Sequence, residues 1–389
     1  MPGGRIKNLI YRSILPLRAP SPRGCMRHLQ PGTDLCDLNG YERLLVRHHV
    51  LGASLLLRDD DRSRAVFTSL DGDYARQSDE NTLFRVASIT KMVTALAILR
   101  LCDAGAFSPD DPVGPLLPDS RALDGITLRH LLSHTSGLRD ISLSESGMIR
   151  GTPYPDVLSQ SGCRSAEPGK TFSYCNFGFG LLGCVIEQAT GLPVSAAVHD
   201  LVLRPLCMRG TLDASTLDEQ TVMPVTRVLS RQRKPDVRVT PLGRIHLKEP
   251  DPLRHYGHTA GALYTDAASL SRLLTMIAGQ GVLEGNRFLS ASLIGQMTSA
   301  QAVYGRISPS LSYGLGLLIV EDKALGAGRI LGHQGFAYGC VDGAFFEEST
   351  GRQMIFLNGG CSEARTGRLG LCNRDMLRWA FRKEMPLWK

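Results

Sequence analysis

Apolar residues in this chain change their spacing twice, and that change limits the folds open to it. Near the start, Val50–Arg58 (VLGASLLLR) and Ala65–Leu70 (AVFTSL) have the composition and spacing of strands, with the polar turn Asp59–Ser63 between them, which predicts a hairpin. Near the end, Tyr313–Val320, Val341–Phe346 and Gln353–Asn358 read as strands, with the tight turn Ser349–Arg352 joining the last two. Between them the spacing becomes helical. Ile89, Met92, Val93, Leu96 and Leu99 form one stripe in a helix predicted over Ser88–Gly105, with Gly105 as its stop. Shorter or weaker patterns predict helices over Tyr41–His49, Thr127–Ser133, Phe177–Thr190 (ending at Gly191), Ala267–Gly279 and Arg374–Lys383. Strands, helices, strands and a closing helix predict an α+β chain, an α/β sandwich in which both ends build one antiparallel sheet flanked by terminal helices. The expected divisions are a basic, disordered tail over 1–36, an α/β domain from 37–105 and 253–389, and a mostly helical insertion over 106–252. The polar, proline-containing stretch Val222–Pro252 reads as irregular or mobile.

With 389 residues, 43% hydrophobic and 21% charged, the chain has enough apolar matter to bury a preformed site without metals or disulfides. Its net charge is +7, carried mostly by arginine, and no run of five or six like charges or interleaving of basic and aromatic residues suggests a nucleic-acid surface. The ten cysteines include no CxxC pair, so zinc and thioredoxin-like sites have no support and no cofactor or metal is expected. Cys102 and Cys184 lie in apolar helical patterns, where thiols behave as small hydrophobes, and reduced thiols are the favoured reading. No stretch approaches 18 uninterrupted apolar residues, and the start lacks a secretory apolar core. The expected location is cytoplasmic, with an organellar transit peptide as the alternative reading of the acid-free basic start. The sequence leaves oligomeric state open.

Three short motifs carry chemistry. In Ser88-Ile89-Thr90-Lys91, residues three apart share a helix face, so the ammonium lies beside the hydroxyl it activates, near the N–H groups of the helix start. Lysine is scarce here, with eight among 44 basic residues, which makes its placement at 91 notable. In Tyr174-Cys175-Asn176, an extended segment turns Tyr174 and Asn176 to the cleft and Cys175 to the interior. A lysine cation beside Tyr174 is expected to favour its phenolate, making it a proton carrier, while Asn176 orients Lys91 or a substrate amide. In His333-Gln334-Gly335, the glycine marks a close approach by backbone or ligand, and the following Phe336 N–H is expected to pair with that of Ser88 as an oxyanion hole.

With the surrounding text FRVASITK (Phe84–Lys91), TLRHLLSHTSGL (Thr127–Leu138), PGKTFSYCNFGFGLLG (Pro168–Gly183), GAL (Gly261–Leu263) and GHQG (Gly332–Gly335), the chain resembles the serine β-lactamase and penicillin-binding superfamily in its class C-like branch. That branch includes β-lactamases, D-peptidases, carboxylesterases and a mitochondrial β-lactamase-like protein. The resemblance runs over roughly residues 41–381 and implies a β-lactamase/transpeptidase-like fold. It implies Ser88 as the acylated nucleophile, Lys91 and Tyr174 as its proton-transfer partners, and Asn176, His333, Gly335 and Phe336 as substrate-binding residues. The implied partner is a small ester, amide or short peptide. Where β-lactamases of this branch have a lysine in the third motif, this chain has His333. Histidine is only partly charged near neutrality, so a β-lactam carboxylate loses a permanent cation, which favours an esterase or peptidase over a true β-lactamase. A non-catalytic sensor or scaffold on the same fold is the alternative from another class.

Overall fold

The computed structural model describes residues 2–18, 25–29, 38–59, 62–70, 78–118, 121–141, 152–228, 249–254, 257–305, 310–322, 325 and 328–382. Most of the stretch 222–252, read as irregular, lies outside them.

The first strands are Cys25–Leu29 (β1), Ala53–Asp59 (β2) and Arg62–Leu70 (β3). A small three-stranded sheet joins Phe84–Arg85 (β4), Gly210–Thr211 (β5) and Tyr264–Thr265 (β6), and Val282–Leu283 (β7) pairs with Asn286–Arg287 (β8). The late strands are Ala302–Gly305 (β9), Ser310–Tyr313 (β10), Leu318–Glu321 (β11), Arg329–Ala337 (β12), Cys340–Glu347 (β13) and Gln353–Asn358 (β14), followed by the hairpin Arg365–Thr366 (β15) and Leu369–Gly370 (β16). Nine of them form one antiparallel sheet in the order β1-β3-β2-β14-β13-β12-β11-β10-β9. Both ends of the chain therefore build it. The seam is β14 against β2, where Gln353 faces Arg58 and Asn358 faces Ala53.

The helix Leu38–Arg47 and the last helix, Leu371–Ala380, share an apolar cluster with one face of the sheet through Tyr41, Leu45, Phe356, Met376 and Trp379. The other face shares the larger cluster with the helices Thr90–Asp103, Asn176–Thr190 and Ala267–Ala278. Thr90–Asp103 is the central helix: every residue from Thr90 to Leu99 is buried. The predicted stripe was thus too narrow, because a helix packed on all sides is apolar all round. Each buried leucine or isoleucine contributes about 1.5–3 kcal/mol by leaving water.

Three expectations for the last third of the chain need correction. Tyr313–Val320 is not one strand. It turns at Gly314–Leu317 into the hairpin β10–β11, with Gly316 at φ 73°. A Cβ there would meet Ala95 Cβ at 2.4 Å, so glycine lets the turn press on the central helix. The segment bearing His333 lies inside the strand β12 rather than between strands. The last helix begins at Leu371, three residues before the expected start at Arg374. At the other end of the chain, Pro2–Arg18 is helical, within the segment read as a disordered tail. Asn8 Nδ2 donates to the Arg365 carbonyl at 2.7 Å, and the Tyr11 hydroxyl accepts from Glu363 N at 3.0 Å. No single helix among the described residues is long and apolar enough to cross a membrane. Eight cysteines, from Cys102 to Cys372, carry free thiols.

Candidate active site

The nucleophile candidate sits on a strained turn. Ala87, one residue before Ser88, has φ 44°, a left-handed conformation unusual for a residue with a Cβ. The turn Ala87–Ile89 is held from several sides before the central helix begins at Thr90. Val86 N donates to Leu263 O at 3.0 Å, Thr90 Oγ1 donates to Ala87 O at 2.6 Å, and Leu263 N donates to Thr90 Oγ1 at 3.1 Å. The GAL segment around Gly261–Leu263 is thus the brace that presents Ser88.

Lys91 lies one turn along, fully buried. Its three ammonium protons have three acceptors: Ser88 Oγ at 3.2 Å, Asn176 Oδ1 at 2.8 Å and Ala260 O at 2.8 Å. Burial pushes the ammonium down to about 7, against the opposing pull of Asp140.

Tyr174 and Asn176 line the cleft and Cys175 is buried, the alternation an extended segment imposes. The Tyr174 ring lies 4.9 Å from Lys91 Nζ, and the side chain lines the same cleft as Ser88. Burial raises the Tyr174 phenol well above its ordinary value, so the expected phenolate is not favoured. Desolvation outweighs the opposing pull of the Arg365 cation.

His333 also reaches the cleft, yet both ring nitrogens are engaged within the protein. Nδ1 lies 2.7 Å from the Gln334 carbonyl, an acceptor only, so Nδ1 carries the proton. Nε2 then accepts from the Tyr313 hydroxyl at 2.8 Å. Burial, then Lys91, lowers its basicity to about 3, so the ring is neutral. Gly335 serves packing: a Cβ there would meet Val86 O at 2.4 Å, and the residue is absent from the cleft lining. Phe336 lines the cleft with Ser88.

The cleft has a volume of about 480 Å³ and gains residues the sequence did not flag. Tyr304, Tyr313 and Tyr338 supply rings; Arg85, Arg365 and Arg368 supply cations. Arg365 stacks 3.7 Å from the Phe336 ring centroid, and Arg368 lies 5.6 Å from that of Tyr304. Among the described residues neither guanidinium makes a hydrogen bond or ion pair. Asp140, behind the cleft, is a further unpredicted residue. Its carboxylate accepts from Asn176 N, Phe177 N and Asn176 Nδ2 at 2.7, 2.9 and 2.8 Å. It stands two residues beyond the HTSGL text, and only the pairing of that turn with the Tyr174–Asn176 segment reveals it. His134, in the same turn, accepts from Cys175 N at 3.2 Å and stacks 4.2 Å from the Tyr174 ring. The described residues hold no cluster of three or more metal-ligating side chains.

The family model described as Beta-lactamase matches residues 31–351. The esterase EstB of Burkholderia gladioli is 37% identical over 174 residues, 40% of this chain and 44% of that protein. Penicillin-binding protein 4 of Amycolatopsis lactamdurans is 29% identical over 269 residues, 65% of this chain and 66% of that protein. The matched stretches thus span less than two thirds of each of these relatives. A D-stereospecific amidohydrolase from Streptomyces sp. superposes with a TM-score of 0.66 at 24% identity, over 87% of this chain and 97% of that one. The D-amino acid amidase of Ochrobactrum anthropi SV3, solved with D-phenylalanine, gives a TM-score of 0.66 at 22% identity over the same shares. These structural likenesses, at such identity, concern the fold.

Proposed function

The chain belongs to the β-lactamase family, and on that premise we propose that it is a serine hydrolase that forms an acyl-enzyme on Ser88 from small esters or amides, D-amino-acid amides and peptides included. The observation that carries this reading is Lys91 Nζ, 3.2 Å from Ser88 Oγ and partly deprotonated near neutrality. A neutral amine takes the Ser88 proton as Oγ bonds to the acyl carbon. The backbone N–H groups of Ser88 and Phe336 receive the developing oxyanion. The C–O or C–N bond of the substrate then breaks. Tyr174, a neutral phenol lining the cleft with Ser88, gives its proton to the leaving group and regains one from the Lys91 ammonium. Water repeats the sequence at the acyl carbon and frees Ser88. Asn176 orients Lys91 in this scheme rather than holding a substrate amide, because both ends of its side chain are already bonded.

His333 provides shape and no charge, so it offers nothing to a substrate carboxylate. Neutral esters need no such partner. The test is kcat/KM for an acetyl or butyryl aryl ester beside a chromogenic cephalosporin. Turnover of the ester with poor turnover of the cephalosporin is expected. Cephalosporin hydrolysis near ~10⁶ M⁻¹s⁻¹, within the range of efficient enzymes, would make the chain a β-lactamase instead.

A further inference from the structure

The charge of Lys91 is governed by the groups packed around its ammonium. The four side chains whose charge acts on it, or on which its own acts, come from three places in the fold. Cys175 stands beside Asn176, His134 and Asp140 lie in the turn after the helix Leu128–Leu132, and His333 lies on β12. Tyr174 and Ser88 complete the shell. Near neutrality nearly all of these are uncharged. Burial holds the Cys175 thiol and Tyr174 phenol well above their ordinary values and keeps both imidazoles well below theirs. Asp140 is the remaining charge. Its carboxylate also binds both N–H groups at the start of the helix Asn176–Thr190 and the Asn176 amide nitrogen. A carboxylate only accepts, so Asn176 must turn its Nδ2 toward Asp140 and its Oδ1 toward Lys91, where that oxygen lies 2.8 Å from Nζ.

We propose that Asp140 is a positioning residue that sets the proton affinity of Lys91, by fixing the Asn176 amide oxygen against the ammonium and by placing the one ionised carboxylate behind it. Both effects favour the protonated amine. Opposing them, burial favours the neutral one, and the balance leaves Lys91 able to cycle between base and acid near neutral pH. Asp140 is itself open to solvent, which screens its field, so the amide orientation carries a large share of the effect.

The proposal rests on the serine-hydrolase reading, and its test separates the two. In Asp140→Asn the new amide presents donors to Asn176 Nδ2, and that side chain loses its reason to face Lys91 with oxygen. The sign follows from the loss of negative charge and of an acceptor: the Lys91 ammonium weakens, and the acid limb of the kcat/KM profile for an aryl ester moves to lower pH. kcat falls by roughly tenfold to a hundredfold, as for loss of a hydrogen bond to a charged group, while KM changes little. Asp140→Glu, which restores the charge, returns the limb toward the wild-type position. Asp140→Ser, which keeps an acceptor for the helix N–H groups without charge, moves it as Asp140→Asn does. A folded Asp140→Asn or Asp140→Ser whose acid limb stays at the wild-type pH overturns the proposal. Failure of both uncharged variants to fold also overturns it and makes Asp140 a folding residue. Absence of Ser88 labelling by a fluorophosphonate in wild type overturns the underlying hydrolase reading instead.

Discussion

Lys91 and the pair Arg365 and Arg368 are cations serving one cleft, and the fold treats them differently. Lys91 is buried, has three acceptors for its three protons and is driven down to about 7. Arg365 and Arg368 stand on the hairpin β15–β16 and lie against aromatic rings, and their guanidinium groups make no hydrogen bond or ion pair among the described residues. A group that must exchange a proton needs a fixed, dry, fully bonded setting, because its basicity depends on every neighbour. A group that meets a substrate needs the reverse, since donors already satisfied by protein have nothing to offer a ligand. His333 sharpens the contrast. It occupies the position the sequence marked for substrate binding, yet Tyr313 and Gln334 absorb its bonding capacity. The positive charge available to a substrate therefore lies on the hairpin rather than on the third motif.

The largest break in this comparison is on the fixed side. Ser88→Ala removes the group that Lys91 and Tyr174 converge on, and activity should fall by roughly 10⁴–10⁶, as in other hydrolases that lose their nucleophile. Circular dichroism and melting temperature should hardly change, because Ser88 is only half-buried and Ile89, rather than Ser88, caps the central helix. Retained turnover in a pure Ser88→Ala preparation would show that a different serine reacts.

A smaller effect belongs to the open side. Replacing Arg365 and Arg368 together by alanine should raise KM about tenfold to a hundredfold for an ester bearing a carboxylate, the scale of a charge-assisted hydrogen bond. A neutral acetyl ester should respond much less, and the rate of covalent labelling at Ser88 should stay near wild type. Equal losses on both substrates would mean that the hairpin supports the cleft rather than reading its ligand.

The fixed side was also the more legible one in the sequence. Ser88 and Lys91 share a helix face at local spacing, and Tyr174 and Asn176 share the side of an extended segment, so short-range geometry alone puts each pair together. The antiparallel sheet was legible for a similar reason: Val341–Phe346 and Gln353–Asn358 are apolar runs bounded by turn residues. What stayed hidden depends on distant partners. Asp140 is an ordinary surface carboxylate until the turn that bears it meets Asn176, 36 residues away. Arg365 sits on a two-residue strand and Arg368 in the turn after it, in a hairpin too short to leave a periodic signal. β12 was missed because Gly332, His333, Gln334 and Gly335 are poor strand formers, and the sheet imposes their conformation through eight paired positions with β13. The split of Tyr313–Val320 was missed because leucines fill its turn, so apolar character runs unbroken through Gly314 and Gly316. Electrostatic sign was the least legible of all. A lysine beside a tyrosine suggests a phenolate until burial is known to reverse that preference.

The central claim is that Ser88, activated by a partly neutral Lys91, is the acylated residue. The most direct measurement is the mass of the peptide modified by a fluorophosphonate, together with the pH dependence of its rate of formation. One adduct is expected, on Ser88, forming at a rate that rises with pH through a midpoint near 7 as Lys91 gives up its proton. An adduct on any other residue, or a Ser88 adduct whose rate is flat from pH 5 to 9 (a window of roughly two units either side of that midpoint), would contradict it.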